Sequence, residues 1–383
     1  MQPSLDDALR VTPGASQTRS KSPLIMPKSY PNFCIGGDGG RLKCDDARWY
    51  VDWMGALGAN AFGYAHQAFA SGLYSLPHVD EIAISRDFVD WVGQESVRWV
   101  KTGSEACAAA VRIARRATGR HLILTSDESY HGWHDWYTQT KSEHDGVPED
   151  GLVRTFKAGD LDDLKRMFHV ERPAAILMEA GLRHVPDVGT LREMRDLAHA
   201  AGALFILDEM ILGCRIAYGG AREWYNITPD LACYGKAIGN GVPIACVTGS
   251  RELMQYADVI SGTYGGDLMG LRAVRLVHDL WLQHGQAIAD NGAAFKGLAL
   301  NMNVPTSGWD ARPFLDPSSP EWWTFISVCG KHGVLIHPSG GINPCSAHTP
   351  DDLEVTAAAM RLALVAIESG VRIEQSQTMA AVR

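Results

Sequence analysis

The sequence predicts an α/β fold on a mostly parallel sheet, and three observations predict it. Residues 203–207, 231–234 and the AAILMEA run at 174–180 are short and apolar, with no helical gap pattern. Strands buried on both faces of a parallel sheet read this way. Residues 97–100 form another such strand, which passes through the small-residue turn Thr102-Gly103-Ser104 into a helix reaching Arg116. Residues 191–200 are amphipathic and return the chain to the strand at 203. At 383 residues the chain exceeds one ordinary core, so two domains are expected.

In chain order, residues 1–30 are polar and punctuated by Pro13, Pro23 and Pro27, an extended or disordered lead-in. Gly36 to Gly40 reads as a turn before a hairpin of the RLKCDDARWYVDW type. No helix follows GGDGG, so it is not read as a dinucleotide loop. Pro77 breaks the chain and Glu81 opens a helix. The strand HLILT leads to SYHGWHDWY, and residues 138–151 are polar and charged, expected to form a mobile loop over a site. The run at 174–180 is read as a strand ending in Glu179. Beyond Leu268 come a helix, the strand GVLIHP, and INPCSAHTPDDLE, whose Pro350-Asp351-Asp352 opens the last helix.

Composition narrows the function classes. A net charge of −9 argues against a general binder of nucleic acid or anionic membrane. No run approaches the roughly 20 apolar residues of a membrane span, and the start MQPSLDDALRV lacks the pattern of a signal peptide. The eight cysteines form no CxxC pair and are read as reduced, buried thiols of a cytoplasmic protein. No GxGxxG follows the first strand, which argues against a nicotinamide-dependent enzyme.

The chemistry centres on two residues. The strand at 203–207 delivers Asp208 and Glu209 to the carboxyl edge of the sheet, where open α/β sheets bind ligands. The strand at 231–234 leads to Lys236 in the small-residue stretch YGKAIGNG. A lysine amine can form a Schiff base with an aldehyde cofactor, and a carboxylate can keep a cofactor's ring nitrogen protonated. Together they suggest pyridoxal phosphate. Read separately, Asp208 could cap a helix and Lys236 could be a solvated charge. The turn at 102–104 opening a helix is an anion site, or else an ordinary cap. His131 and His134 stand three apart without a third ligand at sensible spacing, so no metal is expected.

The segments LDEMILGCR and LACYGKAIGNGVPIA resemble those of class III, fold-type I aminotransferases, most of all the branch containing glutamate-1-semialdehyde aminomutase. Further matches run from about Thr12 to about Ala359. The resemblance implies a large domain with a central, mostly parallel sheet flanked by helices (residues 59–271) and a smaller α+β domain drawn from both termini (residues 1–58 and 272–383). It implies a pyridoxal phosphate enzyme that moves an amino group between a small amino donor and an oxo acceptor. The alternative is an intramolecular aminomutase. Lys236 would hold the cofactor and move the substrate proton, and Asp208 would keep the ring nitrogen protonated. TGSEA aligns with the family's phosphate turn, giving that role to Gly103 and Ser104. Tyr130-His131-Gly132 matches an aromatic-His-Gly in which the aromatic stacks on the ring, with Met210 at its second face. Ile211 stands where many ω-aminotransferases have glutamine. SGTYGGDL makes Thr263 a phosphate contact to the neighbouring subunit, hence a homodimer with shared sites. Arg19, Ser75, His78, Glu179 and Arg215 are further candidates. At Glu179 the chain has Ala180 where the family has proline.

Overall fold

A computed structural model describes residues 5–6, 22–58, 60–64, 79–140, 146–148, 151–181, 183 and 185–374. The expectations for Arg19, Ser75 and His78, and half of the 138–151 segment, lie outside these residues. The chain divides into two compact units, Gln67–Gly285 and Met1–His66 with Gln286–Arg383. The division falls within the helix Leu268–Leu300.

The unit Gln67–Gly285 is built on a seven-stranded sheet. Its order is Ser96–Val100, Ala245–Gly249, Leu231–Tyr234, Leu204–Asp208, Ala175–Glu179, Ile123–Ser126, Val153–Phe156. Only Ala245–Gly249 runs against its neighbours; the other pairings are parallel. The sheet is apolar on both faces because helices cover both. Ile206 and Leu207, adjacent in the chain and pointing to opposite faces, are both fully buried. Each such burial contributes about 1.5–3 kcal/mol. Gly103–Thr118 packs its face of Ala106, Ala110, Ile113 and Ala114 into this core. The parallel strands end on one edge, bringing Val100, Ser126, Glu179, Asp208 and Tyr234 to a common rim.

The helix expected to open at Glu81 begins at Val79. The return helix runs Val188–Ala200, with Asp187 as its cap accepting from Thr190 N–H at 3.0 Å. An aspartate that satisfies a free N–H lets the helix start three residues before its first apolar anchor, Leu191.

The other unit holds a four-stranded sheet, Cys34–Asp38, Arg41–Cys44, Trp49–Asp52 and Val334–Leu335, the last pairing parallel to Trp49–Asp52. The glycine cluster is not merely a turn here. Gly36 and Gly37 lie in the first strand, across a register shift, and the reversal is at Gly39 and Gly40. The core gathers Trp53, Phe295, Phe325, Ile326 and Met360. Trp53 Nε1–H donates to Thr356 Oγ1 at 2.9 Å. The last helix, Pro350–Glu368, starts with a capping box between Thr349 and Asp352, the start read from the sequence. Seven of the eight cysteines are buried; Cys34 is exposed on an edge strand, against expectation. Among the described residues no helix is long and apolar enough to cross a membrane.

Candidate active site

The turn after Ser96–Val100 divides its hydroxyls between two tasks. Thr102 Oγ1 accepts from Glu105 N–H at 3.2 Å, and Glu105 Oε2 accepts from Thr102 N–H at 2.8 Å. This capping box commits Thr102 to the helix. Gly103 and Ser104 follow, and their N–H groups find no partner among the described residues. Two unsatisfied donors at the positive end of a 16-residue helix form a phosphate cradle. Ser104 Oγ accepts from Trp133 N–H at 3.3 Å, which ties the loop carrying Tyr130 to this helix. Gly132 makes the approach possible: its φ is +100°, and a Cβ there would stand 2.7 Å from Ser104 Cα.

Asp208 ends its strand fully buried among donors. Oδ2 lies 2.7 Å from His131 Nδ1 and 3.4 Å from Cys107 Sγ, and Oδ1 accepts from Met210 N–H at 2.9 Å. Burial alone would raise the carboxyl. The His131 hydrogen bond and charge, the charge of Lys236 and the Met210 N–H outweigh it and hold Asp208 below its ordinary range. For His131 burial pulls the pKa down, and the bonds to Asp208 and Cys107 bring it up to about 10. Imidazolium and carboxylate therefore form a buried pair. His131 thus stands behind Asp208 and meets any cofactor through it.

Lys236 follows Leu231–Tyr234 by two residues, beside Asp208 because the two strands pair. Its φ of +50° is left-handed, a strain of about 1–3 kcal/mol for a residue with a side chain. Gly235 leaves room for the turn, since a Cβ would stand 2.6 Å from Met210 Sδ. A Cβ on Gly103 would likewise meet that sulfur at 2.9 Å. Met210 therefore forms a floor between the phosphate turn and the lysine turn. Glu179 sits opposite Asp208 in the parallel register, and its Oε2 accepts from Tyr130 N–H at 3.4 Å. Burial, then the charge of Asp208, raise Glu179 to about 7. Tyr130 is 61% exposed, leaving its ring open to a planar ligand.

Glu209 goes elsewhere. Its side chain emerges on the other face, and its oxygens accept from Ala221 N–H at 2.9 Å and Arg222 N–H at 2.8 Å. It caps Gly220–Trp224 rather than meeting a ligand. Arg215 is wholly buried, and Ile211 is buried beside Met210. Thr263 is exposed in the turn before Leu268–Leu300. That turn is fastened to the phosphate loop by an ion pair between Lys101 and Asp267. Sequence reasoning missed Cys107 and this ion pair. Cys107 had a signal: four residues after Gly103, it shares that glycine's helix face.

The residues fit pyridoxal phosphate. Open N–H groups at Gly103 and Ser104 suit its phosphate, the exposed Tyr130 its ring, and the ionised Asp208 its nitrogen, with an amine nearby on Lys236. A family profile described as aminotransferase class-III matches residues 164–286. The chain is 27% identical over 417 residues to a glutamate-1-semialdehyde 2,1-aminomutase of Methanosphaera stadtmanae, covering 94% of this chain and 96% of that one. It is 31% identical over 312 residues to the enzyme of that name from Syntrophobacter fumaroxidans, covering 73% and 72%. In fold it is similar to the FumI protein of Sphingopyxis sp. MTA144, with a TM-score of 0.84 at 23% identity over 95% of both chains. The chain belongs to the class III aminotransferase family, pyridoxal-phosphate-dependent enzymes of fold type I.

Proposed function

We propose that the protein moves an amino group between a small amino compound and an oxo acceptor, on sites shared within a homodimer. The observation that supports this reading best is the placement of the Asp208 carboxylate and the Lys236 amine at the ends of two paired strands, close enough that the lysine's charge depresses the carboxyl. Bound pyridoxal phosphate supplies an aldehyde for amines and a pyridinium that draws electrons from the bond being broken. Lys236 Nζ would hold the aldehyde and would carry the substrate proton. The Asp208 carboxylate keeps a proton on the ring nitrogen. Tyr130 stacks on the ring, and Gly103 and Ser104 hold the phosphate. Thr263, exposed, serves the phosphate of the neighbouring subunit.

Intramolecular transfer is the second reading, favoured by the name that the aminomutase relatives carry. The same residues serve both reactions. The test is to add pyridoxal phosphate to the purified protein, reduce with borohydride and map the peptides. Label is expected on Lys236, and Lys236→Ala should lose turnover while still taking up the cofactor without a covalent link. Label on another lysine overturns the assignment. For the shared site, Lys236→Ala co-expressed with a disabling change at Thr263 should give heterodimers more active than either parent. Inactive heterodimers would remove Thr263 from the site.

A further inference from the structure

One buried side chain in the site has no part in the reading above, on which this inference rests. Cys107 lies one turn into the helix whose first residues form the phosphate cradle. It is 1% exposed, and its Sγ is 3.4 Å from Asp208 Oδ2. We propose that Cys107 is a positioning residue: its thiol donates to Asp208 and, with His131, fixes the orientation and charge of the carboxylate that the cofactor nitrogen meets.

The thiol proton has two acceptors within reach, Asp208 Oδ2 at 3.4 Å and the Cys233 sulfur, and the carboxylate is the stronger of the two. The hydrogen bond with Cys233, then burial and the Asp208 charge, hold Cys107 well above the ordinary thiol range, so it is a neutral S–H and a donor. The neighbouring Cys233 thiol is turned toward Ala106 O at 3.5 Å, so it does not compete for Asp208. Of the two carboxylate oxygens, Oδ2 takes a donor from the helix and one from the His131 loop, and Oδ1 takes the Met210 N–H. Three donors from three segments hold one rotamer. The charged groups around it are His131, Lys236 and Glu179. Ligating atoms of Cys107, His131 and Asp208 lie within 4.8 Å of one another. Separations of 2.7 and 3.4 Å, with protons on both donors, are those of hydrogen bonds rather than of a metal's shell.

A thiol is also a small apolar filler, so the test separates donation from volume. Cys107→Val keeps bulk without a donor, and Cys107→Ser keeps a donor. Cys107→Val should weaken pyridoxal phosphate binding, read by fluorescence titration, by roughly 3- to 10-fold. It should also shift the pH titration of the bound cofactor's absorption, while Cys107→Ser stays near wild type. In the Asp208→Asn background the Cys107→Val effect should vanish. In cofactor-free protein, the S–H stretching band identified by its loss in Cys107→Val should move when Asp208 becomes Asn. A band unmoved by Asp208→Asn, or binding that Cys107→Val leaves unchanged, overturns the proposal. If the band moves but wild-type protein takes up no pyridoxal phosphate, the function proposed above fails and the thiol contact stands.

Discussion

Asp208 and Glu209 are neighbours at the end of one strand, both buried, and opposite in behaviour. Asp208 faces an imidazolium and an ammonium, and it is held ionised. Glu209 faces two backbone N–H groups and the Arg222 charge; burial, helped by the Asp208 charge, outweighs them and raises it to about 7. The difference teaches that two backbone donors and the Arg222 charge do not offset burial and a neighbouring carboxylate, whereas a hydrogen-bonded imidazolium together with an ammonium does. One surround serves chemistry and the other architecture.

The largest expected effect comes from breaking the first surround. Asp208→Asn should slow proton abstraction by at least ~100-fold, roughly 2.7 kcal/mol at 1.36 kcal/mol per decade. Single-turnover kinetics with a slow amino donor reads this, and near-normal rates would reduce Asp208 to a structural part. Glu209→Ala probes the second surround. It leaves Ala221 N–H and Arg222 N–H buried without partners, a loss of about 2–4 kcal/mol in urea unfolding. Turnover per folded molecule should hold, and a rate loss matching that of Asp208→Asn would erase the contrast.

The smallest effect is in pH. A carboxyl raised by folding binds its proton more tightly in the folded state, so its contribution to stability is full below the unfolded value near 4.5. That contribution is lost as pH rises through about 7. Glu179 acts in the same direction. Glu209→Gln should therefore flatten, without abolishing, the fall in cofactor-free stability between these pH values, as measured by urea midpoints at several pH values. An unchanged slope would mean that Glu209 titrates normally.

Much of the sheet was legible because strands buried on both faces must be apolar throughout, as at 204–208 and 231–234. Asp208 and Lys236 stood out because a charge at the end of such a run is costly without a purpose. The fate of Glu209 was not legible. Alternation along a strand sends it to the opposite face, but which N–H groups wait there depends on a helix twelve residues on. Cys107 was hidden by distance: it meets Asp208 across 101 residues of chain, and no local pattern encodes that contact. The capping role of Thr102 was one of two readings for its turn, and only the Glu105 carboxylate bonding back to Thr102 separates it from Ser104.

The close approach at Gly132 has a consequence for how the protein tolerates change. The loop carrying Tyr130 and the helix end carrying Ser104 meet with no space for a methyl group between them. Their spacing is therefore the gap between the surface for the ring and the surface for the phosphate. In a library of variants selected for cofactor uptake, position 132 should stay fixed as glycine while Trp133 beside it, 70% exposed, drifts. The chain gauges its ligand's length at the one place where it has nothing to spare.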